Sequence, residues 1–459
     1  MNYREETDSM GTVNVPEDAY YGAQTKRAVD NFPISGLTFP LSFIKAIALI
    51  KKYAAQVNRD LGLLSPELSP AVMQAAQEVI DGTFDEQFAI DVFQTGSGTS
   101  TNMNVNEVIA GRANEIITGS IGGKSPVHPN DHVNCGQSSN DVVPSAIHIA
   151  ALISIRADLL PSLEKLCRCL QDKEREFTGI VKIGRTHLQD AVPVTLGQEF
   201  SGYARQTELA IERLKSMEAR LSELALGGTA VGTGLNTHAE FARRVIALIA
   251  QETACPFLEA KNHFAAQAAQ DGAVEASGVL KTVAVSLMKI ANDIRWLSSG
   301  PHCGIGEIIL PDLQPGSSIM PGKVNPVMPE VVLQVAAQVI GNDAAITTGG
   351  QGGNFELNTM LPLIAYNLLQ SIHILAAAVH SFAEKCVTGI KANREHCAST
   401  VDKSIAPVTS LVPVIGYDKA AAIAREARET GRTIREIVLE KNVLTEEELD
   451  TLLAGNSSS

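Results

Sequence analysis

No run of basic residues in this chain is long enough to follow a phosphate backbone, and 37 Lys+Arg against 51 Asp+Glu leave a net charge of −14. That balance argues against a nucleic-acid partner, and a small anionic ligand would have to find a local positive pocket in a negative molecule. Seven cysteines stand at positions 135, 167, 169, 255, 303, 386 and 397, with no CxxC pair. An odd, irregular set fits free thiols in a reducing compartment better than disulfides or a zinc site. No uninterrupted apolar run approaches the roughly 20 residues that span a bilayer. The start, Met1-Asn-Tyr-Arg-Glu-Glu, has mixed charge where a signal peptide would be apolar. A soluble cytoplasmic protein is the expectation. Internal repeats and low-complexity tracts are missing too, and only Asn456-Ser-Ser-Ser459 has the composition of a disordered tail. With 459 residues and 45% hydrophobic content, the chain can bury a large core and has length for several domains.

What is present is helical periodicity. Leu159, Leu163, Leu166 and Leu170 recur at helical spacing, as do Leu214, Met217, Leu221 and Leu224, then Leu280, Val283, Leu287, Ile290, Ile294 and Leu297. Met328, Val332, Val335 and Val339 form a fourth stripe, and Leu368, Ile372, Leu375 and Val379 a fifth. Five stripes imply a mainly α fold around a bundle, with some helices longer than 25 residues whose sides can pack against other subunits. Strand propensity is confined to short pieces such as Gly11–Val15 and Gly179–Ile183. Connectors near 138 and 391 flank the long helical block, which gives expected domains of 1–138, 139–391 and 392–459.

A bundle needs no special chemistry in its turns, yet several connectors here are rich in small donors. They are Gln94–Asn102, Val127–Asp141, Gly184–Asp190 and Gly227–Asn236. Gly316-Ser-Ser-Ile-Met-Pro-Gly-Lys-Val-Asn325 is the densest of them. Its glycines permit backbone geometries that side chains forbid, and its N–H groups can converge on an anion beside Ser317, Ser318, Lys323 and Asn325. A nucleotide P-loop is excluded: five residues separate the glycines where that motif has four, and Val324 stands in place of the magnesium-binding hydroxyl.

Thr99, Ser138, Ser139, Asn140, Thr186 and Asn325 are neutral donors, and Lys323 is the cation, a set suited to carboxylates. The ligand implied is a small polycarboxylate. His187, in a polar loop, can exchange protons near neutral pH, and Glu330 opens a helix after Pro329 as either a cap or its partner. His128-Pro-Asn-Asp-His132 has two histidines four apart, but Pro129, Asn130 and Asp131 favour a turn, so a further anion contact or a plain turn is expected there and no metal. Arg185 and Asp190 could be a structural ion pair, which the sequence leaves open.

These segments carry a resemblance. Gly316–Pro326 is similar to the signature of the fumarase/aspartase superfamily, and Thr95–Thr99, Gln137–Asp141, Gly184–Asp190 and Gly228–Asn236 resemble its other blocks in the same order. The likeness runs from Asp8 to about Leu453. Ser138-Ser139-Asn140, His128–Asp131 and Gly416–Ala421 are most like the class II fumarase branch, with the aspartate ammonia-lyases as the alternative. Cys135-Gly136 departs from that branch's more usual Lys-Ser.

The resemblance implies a three-domain, mainly α fold with a central bundle of long helices and a homotetramer whose active sites draw loops from three subunits. It implies hydration of fumarate to L-malate with no metal and no organic cofactor. By the same likeness, Ser317 is the carbon base and His187, oriented by Glu330, the oxygen acid/base. Lys323 and Asn325 hold and stabilise a carboxylate, with Ser97, Thr99, Ser138, Ser139, Asn140, Thr186 and Ser318 as further substrate contacts, and His128, Pro129, Asn130 and Asp131 form a second anion site. A non-catalytic bulk protein is the rival of another class.

Overall fold

The structure, a computed structural model, describes residues 2–405 and 408–455. The tail Asn456–Ser459, expected to be disordered, lies outside these. Helices dominate, and the described strands form only two-stranded sheets. The periodic stripes have their physical cause in burial: Leu163, Leu166 and Leu170, like Leu280, Val283, Ile290 and Ile294, are wholly buried, each contributing about 1.5–3 kcal/mol. The longest uninterrupted α-helices among the described residues are Asp271–Leu297, with 27 residues, and Leu196–Leu221, with 26. Val327–Gly350 differs from the others. Val332, Ala336 and Val339 are buried, whereas Val331, at the edge of that stripe, is exposed, so the apolar positions of this helix extend beyond the face its own chain covers.

The chain divides into two compact units. One comprises the chain up to Pro161 together with Glu212–Ala284 and Ala337–Ala376. In it the Leu41–Asp60 helix packs on Ser69–Ile80, Ser139–Ser154 and Phe241–Thr253, and Tyr3–Asp8 pairs antiparallel with Gly11–Pro16. The other comprises Ser162–Ile211, Val285–Ala336 and the chain from Ala377 onward. It holds the antiparallel hairpin of Val181–Thr186 with Gln189–Thr195, and C-terminal helices with their own core of Leu411, Ile423, Ala427, Ile434, Ile437, Val438 and Leu449. Two helical stretches, Ser139–Phe177 and Leu361–Gly389, are long and apolar enough to cross a membrane, but 67% and 61% of their most apolar windows are buried in the protein, as in core helices.

Candidate active site

Neutral donors in the first unit sit at two helix N-termini, where free N–H groups and the helix dipole favour anions. Thr99 opens the Thr99–Thr118 helix after a tight turn in which the Ser97 and Thr99 hydroxyls are 2.8 Å apart. The turn requires glycine twice. Gly98 has φ +74°, and a Cβ on Gly96 would lie 2.0 Å from the Thr359 carbonyl oxygen. Ser138 caps the Ser139–Ser154 helix: its hydroxyl accepts from Asn140 N–H at 3.2 Å while Asp141 accepts from Ser138 N–H at 2.9 Å, a reciprocal capping box. Asn102 donates to the Ser139 hydroxyl at 3.0 Å and so ties the two helix starts together.

Asp141 holds more than the cap. Wholly buried, it also accepts from Gly227 N–H at 3.0 Å and Thr229 N–H at 2.9 Å, while Asn140 donates to the Ala230 carbonyl at 2.8 Å. The Ser-Ser-Asn segment and the Gly227–Asn236 loop, 90 residues apart along the chain, therefore form one surface. Burial raises the Asp141 carboxyl from its ordinary range, against the pull of these three N–H groups and of Lys51. Gly136, in the Cys-Gly pair that departs from the resemblance, has φ +71° and faces the Thr237 hydroxyl, 3.1 Å from where a Cβ would sit.

In the second unit a buried charge cluster fixes the hairpin. Arg185 makes a bidentate pair with Glu307 at 2.9 and 3.0 Å, and Lys182 reaches Glu199 at 2.8 Å and Glu307 at 3.1 Å. Lys182 and Glu307 are wholly buried, and burial raises the Glu199 carboxyl. The partner of Arg185 is thus Glu307 and not Asp190, which sits across the hairpin from it. Beyond this anchor the chain reverses through His187 (φ 56°) and Leu188 (φ 59°), a two-residue turn of the kind hairpins favour. Thr186 and His187 are held out at its tip, exposed.

The Gly316–Asn325 loop belongs to the same unit. Gly316 N–H donates to the Lys323 carbonyl at 2.8 Å and Asn325 donates to the Gly316 carbonyl at 2.6 Å, closing the loop at its base. A Cβ on Gly316 would stand 2.2 Å from that Lys323 oxygen. Inside the loop the Ser317 hydroxyl oxygen accepts from two backbone N–H groups, Ile319 at 3.2 Å and Met320 at 3.0 Å. Ser318 and Lys323 are exposed, and Lys323 and Asn325 border a cavity of about 870 Å³ also lined by Arg295, Trp296, His302 and His396.

Glu330 lies in the first turn of the Val327–Gly350 helix, half-buried. Neither its carboxylate nor the His187 ring makes a hydrogen bond among the described residues, so their expected partnership is not formed within one chain.

His128 caps a short π-helical turn, Pro129–Val133, and its Nδ1 accepts from both Asn130 and Asp131 N–H at 3.2 Å. Burial lowers its pKa. Asn130 and Asp131 are exposed and Pro129 is buried. Among the described residues no three His, Cys, Asp or Glu side chains are grouped to hold a metal ion.

Known proteins extend this picture. The sequence profile of the family described as "Lyase" matches residues 11–341, and that of the "Fumarase C C-terminus" matches 408–455. "Fumarate hydratase class II" of Nitrosomonas europaea is 56% identical over 98% of this chain and 97% of its own length. The human "Fumarate hydratase, mitochondrial" is 54% identical over 98% of this chain and 88% of its own. Among solved structures, a class II fumarase from Schistosoma mansoni superposes with a TM-score of 0.95 at 43% identity, covering 98% of both chains.

Proposed function

The chain belongs to the fumarase/aspartase lyase family, and we propose that within it the reaction is the reversible hydration of fumarate to L-malate. The environment of Ser317 carries this reading. A serine hydroxyl is a poor base, and it can take a proton from carbon only if its alkoxide is stabilised. Two N–H groups already aimed at its oxygen supply that stabilisation before substrate arrives. The choice of water over ammonia as the group eliminated rests on relatives that are fumarate hydratases at 54–56% identity over nearly the full chain.

In the dehydration direction, Ser317 removes a proton from the methylene carbon next to one carboxylate of malate. The carbanion's charge passes into that carboxylate, which Lys323 and Asn325 stabilise. His187 gives a proton to the hydroxyl on the neighbouring carbon; the C–O bond breaks, the C=C bond forms and water leaves. Ser97, Thr99, Ser138, Ser139, Asn140, Thr186 and Ser318 hold the carboxylates so that the elimination geometry is preset. Glu330 orients His187, and the His128–Asp131 turn is a second anion contact.

The protein works as a homotetramer in the cytoplasm. The exposed apolar Val331, Ala337 and Ala344 of the Val327–Gly350 helix offer a face on which another subunit can pack. Seven free cysteines suit the reducing compartment. Following the ultraviolet absorbance of fumarate with L-malate and then L-aspartate as substrate tests the activity. Absorbance should rise with malate alone; a rise with aspartate alone would make the chain an ammonia-lyase, and none with either would refute both. Sedimentation gives the oligomeric state, and cell fractionation the location.

A further inference from the structure

We propose that Lys51 is a positioning residue, the buried cation that charges and shapes the Ser138–Ser139–Asn140 carboxylate site from beneath. The inference rests on the dicarboxylate reading of that site.

Every expected substrate contact in the first unit is neutral, although the ligand is a dianion and the protein carries −14. The missing charge lies one layer down. Lys51, on the buried face of the Leu41–Asp60 helix, is wholly buried and donates to Asn134 Oδ1 and Gln137 Oε1, each at 2.9 Å. Gln137 immediately precedes Ser138. Asn134 Oδ1 also accepts from Asn102 at 3.3 Å, and the same Asn102 amide donates to the Ser139 hydroxyl at 3.0 Å. Lys51 thus lies within about 9 Å of the Ser139 hydroxyl along two bridging side chains.

Stability alone does not explain this placement. A buried ammonium with no carboxylate in contact is unfavourable, and an apolar side chain would suit the core better. The layer around it is polar: Asn134 and Gln137 accept from Lys51, and Asn102 and Asn106 both donate to the same Asn134 oxygen. Burial takes the Lys51 pKa down to about 7, and Asp141 raises it in opposition. Other charges on the elements packed against this helix are engaged elsewhere. Glu107 is bound by Gly22, Gln24 and Thr25, Glu252 by Lys52 and Tyr53, Glu78 and Glu115 by Arg112, and Arg243 and Arg244 by Glu240, while buried His148 bonds the Glu223 carbonyl, His132 accepts from His128 N–H and His128 faces Asp131.

A unit charge at this range, in an effective dielectric near 20, changes the affinity for an anion by about tenfold. Linkage makes the reverse true: a bound dicarboxylate raises the Lys51 pKa by about one unit. The test is calorimetric binding of succinate, an unreactive dicarboxylate, in buffers of different ionisation heat. At pH 7.5 the native enzyme should take up about half a proton, from a pKa moving between about 7 and about 8. Lys51→Arg, always charged, should bind succinate comparably with that uptake abolished. Lys51→Gln should lose the uptake, bind about tenfold more weakly at pH 6.5, and raise KM more than it lowers kcat.

Proton uptake undiminished in the variants would assign it to another group, such as His187, and overturn the inference. Unchanged succinate affinity in Lys51→Gln would do the same. Should Lys51→Gln fail to fold, the native protein and Lys51→Arg decide between the outcomes. Failure of the native protein to turn over fumarate would instead refute the activity reading.

Discussion

Asp141→Asn tests whether the first half of the site is organised by a buried carboxylate. The native side chain accepts three backbone N–H groups, Ser138 on one oxygen and Gly227 with Thr229 on the other, all at 2.9–3.0 Å. An asparagine keeps one accepting oxygen and turns the second into a donor. With its oxygen toward the Gly227 pair, its NH₂ opposes Ser138 N–H; flipped, two bonds are lost. Each charge-assisted bond is worth about 1.5–3 kcal/mol, and a stranded buried donor costs about 1–3 more, so the expected loss is about 3–6 kcal/mol. A protonated native carboxyl would give another result, because asparagine would reproduce its one donor and one acceptor at a cost under about 1 kcal/mol. Thermal unfolding at pH 7 reads the difference: the variant should melt about 5 °C or more below the native protein. KM for malate should rise as well, since Ser138 and the Gly227–Asn236 loop share this anchor. Melting within about 1 °C of native, with KM unchanged, would refute an ionised Asp141.

Ser317→Ala should lower kcat by about 10²–10⁴ while succinate still binds, and undiminished turnover would remove Ser317 as the base. Glu307→Gln leaves Lys182 with Glu199 alone and Arg185 without its bidentate partner; a loss of about 3–5 kcal/mol is expected in unfolding experiments, and a neutral effect would show the cluster to be dispensable. The Arg27 guanidinium holds the Asp8 carboxyl below its usual range. A carboxylate lowered in the folded state stabilises above its unfolded value near 3.9, and that contribution disappears as pH falls through the folded value. The stability gap between the native protein and Asp8→Asn should therefore stay constant from pH 8 to about 5 and close in stronger acid; a gap that widens toward acid would reverse the sign.

Much of this architecture is legible in the sequence because burial imposes period. Leu280 to Leu297 reads as one helix face from spacing alone, and all six apolar positions are buried. The donor loops are equally visible, since Ser, Thr, Asn and Gly crowd where a bundle turn needs none. What stays hidden acts across long separations. Arg185 finds Glu307, 122 residues away, whereas spacing along the chain points only to its neighbour Asp190. Asp141 completes the Ser138 capping box within three residues, yet it also holds a loop 86 residues further on. Lys51 is inconspicuous beside Lys52, which is on the outer side with Glu252. A helical count separates the two: Lys51 follows Ile44 by seven and Ile47 by four, on the stripe that is buried.

The two sets of candidate residues are held by different physics, which bears on the roles proposed for them. Ser97, Ser139 and Asp141 are buried: Ser97 is tied to Thr99 in its own turn, Ser139 to Asn102, and Asp141 to Ser138 and the Gly227–Asn236 backbone, so that moving Asp141 breaks three hydrogen bonds at once. On the proposed reading that half is preorganised for the carboxylates, which do not change charge greatly between malate and fumarate. The Gly316–Asn325 loop instead closes on itself through Gly316 and Asn325, with Ile319, Met320 and Val324 exposed. Its internal bonds keep Ser317 and its two N–H donors together as a unit while leaving the loop few ties to the rest of the chain. Such a loop can swing as one body, carrying a ready-made alkoxide site, and exclude water as its apolar residues find cover. Loosening the base of the loop should therefore damage the proton-transfer step more than the binding step, whereas damage around Asp141 should fall first on binding.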